Sequence, residues 1–240
     1  MRTMQTRKWI GTALRLCLIL VVTQSARSQE AAPSVFFPRP KNTGAFDASL
    51  GLRVLAVPRD ISEEELNRAP ALDAQITVGL PLQFTVLSSA DLQFITNQVK
   101  GGLRWSHCIG DFCVGAGDEF GFWFGSIYLE GFDNSVRGWM HYPHVLLGYE
   151  TGDVRLSLRG EWLYTLSERT FTGENELSST KNRLVGFAGS FMMEQPLLRN
   201  LHVVLGVRLS STEFHHQTWF AFSAFKRKLL YSELLFAVLL

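Results

Sequence analysis

The stretch from Asp153 to Ser167, DVRLSLRGEWLYTLS, alternates between two kinds of side chain, and this alternation restricts the possible folds. The even positions are mostly apolar: Val154, Leu156, Leu158, Gly160, Trp162, Tyr164 and Leu166. The odd positions carry most of the polar and charged residues: Asp153, Arg155, Ser157, Arg159, Glu161, Thr165 and Ser167. Side chains of a β-strand point alternately to its two faces, so the stretch predicts a strand with one apolar and one charged face.

Such a strand fits two environments. In a soluble sheet the apolar face packs on a core, whereas in a transmembrane barrel it meets lipid and the charged face lines the lumen. The alternation recurs in residues 46–56, 72–86, 95–106, 139–149, 185–193, 201–209 and 229–240. We therefore predict an all-β fold, an up-and-down antiparallel transmembrane β-barrel of about ten strands, with eight or twelve strands also compatible with the pattern.

Several interruptions of the pattern carry their own predictions. Residues 72–86 are interpreted as one strand with a bulge at Pro81, since proline lacks the N–H that a ladder needs. Residues 88–91 are predicted as a tight turn, residues 168–180 as a polar loop and residues 218–225 as a further strand. With ten strands and a periplasmic N-terminus, the 168–180 loop falls on the periplasmic side, where turns are normally short.

The N-terminal sequence predicts export. A basic start at Arg2, Arg7 and Lys8 precedes an apolar run, and Ala26-Arg27-Ser28 offers small residues for cleavage, so residues 1–28 are interpreted as a signal peptide. A retained membrane anchor is the alternative, although the apolar run is shorter than the ~20 residues that span a bilayer. Residues 29–44, which are proline-rich, are predicted as an extended segment and residues 45–240 as the barrel.

Charge and cysteine content narrow the function classes. Cleavage removes five of the 23 basic residues and no acidic one, which leaves 18 Lys and Arg against 22 Asp and Glu. This balance argues against a nucleic-acid partner, which would require a basic face. Of the cysteines, Cys108 and Cys113 survive cleavage, and in an exported protein they predict a disulfide, with free thiols as the alternative. No metal ligand set or cofactor motif is predicted.

Two features favour lipid over water outside the barrel. Large aromatic residues such as Trp105, Trp139, Tyr149, Trp162 and Trp219 lie near the ends of predicted strands, as in the aromatic girdles of membrane barrels. The opposite faces mix small residues with charges that would pair in a narrow lumen. The residues predicted to face the lumen are Arg53, Lys100, Arg104, Arg155, Arg159, Glu161 and Arg208, with Asp47 and Asp73 as possible partners. A surplus of arginine would favour anions if a path existed.

With these features the chain resembles the small bacterial outer-membrane β-barrels. The resemblance covers Phe46 to Leu240 as a pattern and includes a final strand in which Phe236, Val238 and Leu240 keep the outward spacing. Barrels of that class usually end on an aromatic residue, whereas this chain ends on leucine. The resemblance implies location in the outer membrane, contact with membrane lipid and lipopolysaccharide, and recognition by the barrel-assembly machinery. It implies no oligomeric state.

Three functions remain open at this point. The first is an integral outer-membrane barrel with a narrow or plugged lumen and a structural, surface-binding or narrow-passage role. The second is a lipid-modifying enzyme, for which the candidates are Ser106 with His107, His141 and His144, or Glu213 with His215 and His216. No serine stands in a nucleophile motif, so no catalytic residue is predicted. The third is a soluble periplasmic barrel that binds an apolar ligand.

Overall fold

The protein forms a closed barrel of antiparallel strands, which confirms the predicted fold class. A computed structural model describes residues 33–58, 67–129, 132–198, 201–213, 215–218 and 228–240. Within these residues the strands are β1 (Phe46–Ala56), β2 (Arg68–Gly79), β3 (Phe84–Leu92), β4 (Thr96–Ile109), β5 (Phe112–Leu129), β6 (Phe132–Thr151), β7 (Val154–Thr172), β8 (Asn175–Leu198), β9 (Leu201–Thr212) and β10 (Leu229–Leu239). Two short 3₁₀ turns, Pro81–Gln83 and His216–Thr218, complete the described elements.

Each strand pairs with its neighbour in the sequence, and β1 pairs with β10 to close the barrel. Closure leaves no sheet edge exposed, because every strand has two partners. The pairing of Ser49 with Leu239 fixes the register of the closing seam.

The alternation places apolar side chains outside and most polar ones inside. Leu158 and Trp162 are exposed on the outer face of β7, while Arg155 and Glu161 are buried on its inner face. Leu50, Leu72, Val99, Phe120, Leu147, Phe191, Leu205 and Phe236 continue the outer apolar surface around the barrel. None of the described residues belongs to a helix of sufficient length and hydrophobicity to cross a membrane.

The two ends of the barrel differ. At the end where β1 begins, β4–β5 and β6–β7 are joined by tight turns in which Gly110 and Gly152 have positive φ values of 59° and 58°. Glycine adopts this conformation at no steric cost, which suits two-residue hairpin turns. At the opposite end, β5 to β8 are 18, 20, 19 and 24 residues long, so this side of the wall extends beyond the shorter strands.

Two predicted boundaries near Pro81 were wrong. Residues 72–86 are not one strand, because Pro81 begins a 3₁₀ turn between β2 and β3, with Leu82 and Gln83 at φ 61° and 67°. A proline that lacks an N–H ends a strand here instead of causing a bulge within it. The turn predicted at residues 88–91 is also absent, since these residues belong to β3.

The polar loop predicted at residues 168–180 was also wrong. Strand β7 continues to Thr172 and β8 starts at Asn175, and Gly173 with a φ of 57° makes the tight turn between them. The turn lies at the end of the barrel opposite to the start of β1, which removes the conflict with a short-turn periplasmic side. Of the strand predicted at 218–225, Thr218 lies in a 3₁₀ turn and the remainder is outside the described residues, as is the predicted signal peptide of residues 1–28.

Candidate functional site: the barrel lumen

The charged residues predicted to face the lumen are brought together on the inner wall. Arg53, Arg104, Arg155 and Glu161 are buried, and Lys100, Arg159 and Arg208 are half-buried. Lys100 Nζ lies 5.4 Å from the centre of the Tyr142 ring, and the other six residues divide into two groups. Arg53, Arg159, Glu161 and Arg208 form a belt of ion pairs across the middle of the lumen, and Arg104 and Arg155 contact the residues that precede β1.

The ion-pair belt starts at Arg53 on β1. One guanidinium nitrogen of Arg53 lies 2.5 Å from Asp73 Oδ2 on β2 and 3.5 Å from Asp91 Oδ1 on β3. The other terminal nitrogen lies 3.4 Å from Glu233 Oε2 on β10. A single arginine therefore joins carboxylates from three strands.

The belt continues from Glu233 across the lumen. Arg208 Nη1 on β9 lies 2.9 Å from Glu233 Oε1, and its Nη2 contacts Glu161 on β7. Arg159 Nη2 lies 2.9 Å from Glu161 Oε2 and also contacts Glu119 on β5. The contacts of Arg208 with Glu161 and of Arg159 with Glu119 join strands that are not neighbours in the sheet, which is possible because the lumen is narrow.

Every arginine of the belt meets a carboxylate, so the belt itself does not carry the surplus of positive charge that would favour anions. Sequence analysis did not single out the acidic partners Asp91, Glu119, Glu194 and Glu233. Strand alternation could have identified these four acidic residues. Each of them points to the same inner face as an arginine on its own strand or on a neighbouring strand. Buried charges are costly unless they are paired, and the belt provides that pairing.

The residues that precede β1 lie inside the barrel. Val35 and Phe37 are buried, with Phe37 0% exposed, and Val35 packs with Val204, Leu235, Ala237 and Leu239 of the inner wall. We call residues 33–44 the N-terminal segment. Sequence analysis predicted an extended segment of residues 29–44 but not its position in the lumen.

Glu194 on β8 anchors the N-terminal segment. Its carboxylate accepts a hydrogen bond from Ser34 Oγ at 2.6 Å and from the backbone N–H groups of Phe36 and Phe37 at 2.7 and 3.1 Å. Three donors on one buried carboxylate form charge-assisted bonds, which are stronger than neutral ones. Glu194 is therefore the main polar contact that the wall offers to the segment.

Two inward arginines bind the carbonyl groups of the same segment. Arg104 donates to the oxygens of Val35 and Phe37, each at 3.4 Å, and Arg155 donates to the oxygen of Pro33 at 3.2 Å. Lys41 pairs with Asp47 at the start of β1, and burial lowers the pKa of Lys41 while Asp47 opposes that shift. The backbone of an extended segment thus finds partners inside the barrel, as buried polar groups require.

Inward-facing glycines provide the space for the segment. A Cβ atom on Gly148 would lie 2.6 Å from Phe37 Cε2 and 2.8 Å from Pro38 Cδ, and one on Gly79 would lie 2.1 Å from Asn42 O. Such distances are too short for real contacts, so the segment can lie here only because these wall positions lack side chains.

A small cavity separates the N-terminal segment from the ion-pair belt. It has a volume of about 60 Å³, and its lining includes Phe36, Leu235 and Met192 together with Arg53, Arg159 and Arg208. This volume holds a few water molecules. It is well below the roughly 300–1,000 Å³ of small-molecule pockets.

The opposite half of the lumen is filled by apolar side chains and by part of the β9–β10 connection. Trp123, which is 0% exposed, packs with Val136, Met140, Leu163 and Val185. The four residues from His215 to Thr218 are buried, and His215 Nε2 lies 3.3 Å from Glu233 Oε1. Burial holds the pKa of His216 well below its ordinary value, so this imidazole is neutral at neutral pH.

The histidines considered as catalytic or metal-binding groups are placed apart. Ser106 and His144 point inward, with His144 Nδ1 3.6 Å from Glu119, whereas His107 is at the rim against Gln83 and His141 faces outward, with Asp118 2.6 Å away. His215 and His216 lie in the β9–β10 connection and not on a strand, and their rings stack with 4.9 Å between the ring centres. Within the described residues no three His, Cys, Asp or Glu side chains are grouped to hold a metal ion.

Cys108 and Cys113 are joined by a disulfide in the structure. They are cross-strand partners in the β4–β5 hairpin, at the end of the barrel that holds the N-terminal segment.

Comparisons with known proteins find similarity among solved structures alone. No protein-family model matches the chain, and no curated protein matches it. The chain is similar to the crystal structure of Neisserial surface protein A, with 10% identity and a TM-score of 0.39, over 81% of this chain and 93% of that one. It is also similar to the translocator domain of the autotransporter NalP from Neisseria meningitidis, with 11% identity and a TM-score of 0.42, over 98% and 97% of the two chains.

A third similar structure is that of a FadL homologue from Pseudomonas aeruginosa, with 9% identity and a TM-score of 0.36, over 87% of this chain and 95% of that one. What the protein does is therefore inferred from its own barrel.

Proposed function

We propose that the protein is an integral outer-membrane β-barrel whose lumen is closed by its own N-terminal segment, so that it acts as a surface or structural barrel and not as an open pore. The observation that carries this proposal is the filled lumen, with Phe37 completely buried beside the wall glycines and the ion-pair belt behind it. An apolar outer wall around a charged interior has the polarity that lipid requires.

The height of the apolar wall supports a membrane location. On the outer face of β6, ten residues separate Tyr149 from Trp139, and the even count keeps both rings outside. At about 3.3 Å per residue and a tilt of about 40°, ten residues rise about 25 Å, which equals the apolar band of outer-membrane barrels. These two rings are therefore assigned to the two aromatic girdles.

The orientation follows from the two ends. Outer-membrane barrels have short periplasmic turns, and the start of β1, the N-terminal segment and the turns at Gly110 and Gly152 share one end. We assign this end to the periplasm and the extension of β5 to β8 to the cell surface. The outward Phe236 and Val238 of the last strand are the residues that the barrel-assembly machinery would meet.

Conductance across planar bilayers tests the closed lumen. We expect the full chain to show no steady open current, and a variant with residues 33–41 replaced by a Gly-Ser sequence of equal length to open frequently. Before recording, both proteins are required to fractionate with the outer membrane and to migrate faster unboiled than boiled, as a folded barrel does.

Two results would contradict the proposal. Equal, steady currents from both proteins would show that the N-terminal segment does not close the lumen. A protein that is released from membranes by carbonate and shows no heat-dependent mobility would be a soluble barrel, with its apolar face turned inward.

A further inference from the structure

We propose that Arg137, Arg169 and Lys181 form a binding site on the outer wall for the phosphate groups of lipopolysaccharide. This inference rests on the membrane location and orientation proposed above. It assigns a role to three cationic side chains that lie neither in the lumen nor within the apolar band of the outer wall.

The three cations lie together on adjacent strands. Arg137 on β6 and Arg169 on β7 are direct cross-strand partners, and both are exposed. The next outward pair toward the periplasm joins Ser167 of β7 to Lys181 of β8, so Lys181 is diagonal to Arg169 on the same face. Cross-strand Cβ atoms are about 5 Å apart and diagonal ones about 7–8 Å, within reach of these long side chains.

These three exposed cations lie together, and nothing described neutralises them. In the described part of the chain no carboxylate lies within 4 Å of Arg137, Arg169 or Lys181. By contrast, Arg183 on the same strand as Lys181 pairs with Glu213 at 2.7 Å. Like charges placed directly opposite each other destabilise a sheet, so a pair of unneutralised arginines indicates a site for an anion.

The height of the cluster fits a lipid headgroup. Trp139 marks the upper edge of the apolar band, and Arg137 is two residues further toward the cell surface on the same face. Two residues of a tilted strand rise about 5 Å, which places the guanidinium groups at the level of the outer-leaflet headgroups. In an outer membrane these headgroups are the phosphorylated glucosamines of lipid A.

An aromatic groove beside the cluster fits the acyl chains of the same lipid. Phe122, Phe124 and Phe171 line an open groove of about 520 Å³, and the Arg137 guanidinium carbon lies 5.1 Å from the centre of the Phe171 ring. The groove lies beside Arg137, because Phe124 is the cross-strand partner of Arg137, Phe122 is that of Trp139 on the periplasmic side, and Phe171 is that of Ser135 on the surface side. The cations thus adjoin an apolar surface, as binding of an amphiphile with an anionic head and apolar chains requires.

Lipid A is favoured over a simple phospholipid because it carries more than one phosphate, and the cations of the cluster are spread over three strands. Arginine binds phosphate through two parallel N–H bonds, so neighbouring arginines can hold one phosphate while Lys181 contacts another.

Binding of defined lipids to the purified, detergent-solubilised full chain tests the proposal by native mass spectrometry. The ligands are bisphosphorylated lipid A, dephosphorylated lipid A and phosphatidylglycerol. We expect the triple variant Arg137→Ser, Arg169→Ser, Lys181→Ser to bind bisphosphorylated lipid A at least about tenfold more weakly, because even one charge-assisted hydrogen bond accounts for such a factor. Arg183→Ser, at the same rim, is the matched control and keeps the parent affinity.

A second variant, Arg137→Lys with Arg169→Lys, keeps the charge but loses the paired N–H donors, so its affinity for bisphosphorylated lipid A should lie between those of the parent and the triple variant. Unchanged binding by the triple variant would overturn the proposal, and so would equal affinity for phosphatidylglycerol or for dephosphorylated lipid A. Heat-dependent gel mobility of each variant shows whether a failure concerns the lipid site or the barrel itself. If the triple variant folds, stays in the outer membrane and binds lipid A as tightly as the parent, only the lipid site is contradicted. If the parent protein itself shows no heat shift, the barrel proposal is contradicted.

Discussion

The described arginines on the strands differ in environment, and position on the strand decides which partner each one meets. Inward arginines in the middle of the lumen, such as Arg53 and Arg208, pair with carboxylates of other strands. Inward arginines near the start of β1, Arg104 and Arg155, bind backbone carbonyls of the N-terminal segment. The outward Arg137 and Arg169 meet no described carboxylate. Strand parity predicts which arginines face inward, but only the packed lumen shows which partner each one has.

A glycine substitution tests the position of the N-terminal segment. Valine at Gly148 would place side-chain atoms where Phe37 and Pro38 now lie, so the segment must leave the wall at a cost of about 1–3 kcal/mol. We expect Gly148→Val to expose the bond after Lys41 to trypsin, and the rate of this cleavage in the folded barrel is the measurement. Gly189→Val is the control, since a Cβ there meets nothing within 4 Å. Equal cleavage of both variants would place the segment elsewhere.

At the scale of the strands, the ion-pair belt connects elements that no backbone ladder joins. Arg208 and Glu161 link β9 to β7, Arg159 and Glu119 link β7 to β5, and Arg53 and Asp91 link β1 to β3. Each of these ion pairs therefore joins two strands that are separated by one strand of the wall. Such ties complement the hydrogen bonds between neighbouring strands.

Removal of one arginine tests how much the belt stabilises the barrel. Arg53→Met leaves Asp73, Asp91 and Glu233 buried without this partner, and breaking a buried pair in this way costs about 3–5 kcal/mol. The midpoint of urea unfolding, followed by the heat-dependent gel shift in lipid vesicles, should fall accordingly.

The matched control for this experiment is Arg183→Met, because Arg183 is half exposed in its pair with Glu213. An exposed pair contributes at most about 1 kcal/mol, so its midpoint should hardly move. Equal midpoints for Arg53→Met and the parent protein would mean that the belt adds no stability.

For the whole molecule, the lumen is filled in three layers from one end to the other. The N-terminal segment occupies the end where β1 starts, the ion-pair belt lies in the middle, and Trp123 with its neighbours and the residues His215 to Thr218 fill the far half. The alternation of polar and apolar residues weakens on β5 and β10 because parts of their inner faces meet apolar layers instead of water.

The orientation of the barrel can be tested with inserted epitopes. We expect an epitope placed between Gly173 and Glu174 to bind antibody on intact cells, because this turn joins the strands that extend to the surface side. The same epitope between Gly152 and Asp153 should bind antibody only after the outer membrane is permeabilised, since that turn lies at the end of the N-terminal segment. Surface labelling at Gly152 alone would reverse the assigned orientation.

The sequence by itself determined most of the strands, their two faces and the barrel class, because the period-two alternation is a local property of the chain. It also placed Arg53, Arg155, Glu161 and Arg208 on inner faces. It misplaced strand ends beyond the proposed apolar band, as at residues 168–180, since polar side chains are allowed on both faces there. Pro81 was misjudged because a proline fits both a bulge and a turn.

Only the tertiary structure decided which inner charges pair and where the N-terminal segment lies. Arg208 meets Glu161, and Glu194 meets Ser34, only after closure and register have brought distant strands and the chain start within hydrogen-bond distance. The gap at Gly148 likewise becomes a place for Phe37 only once the wall has curved around it. A local pattern contains no information about contacts across a lumen, because these depend on the diameter and stagger of the closed barrel.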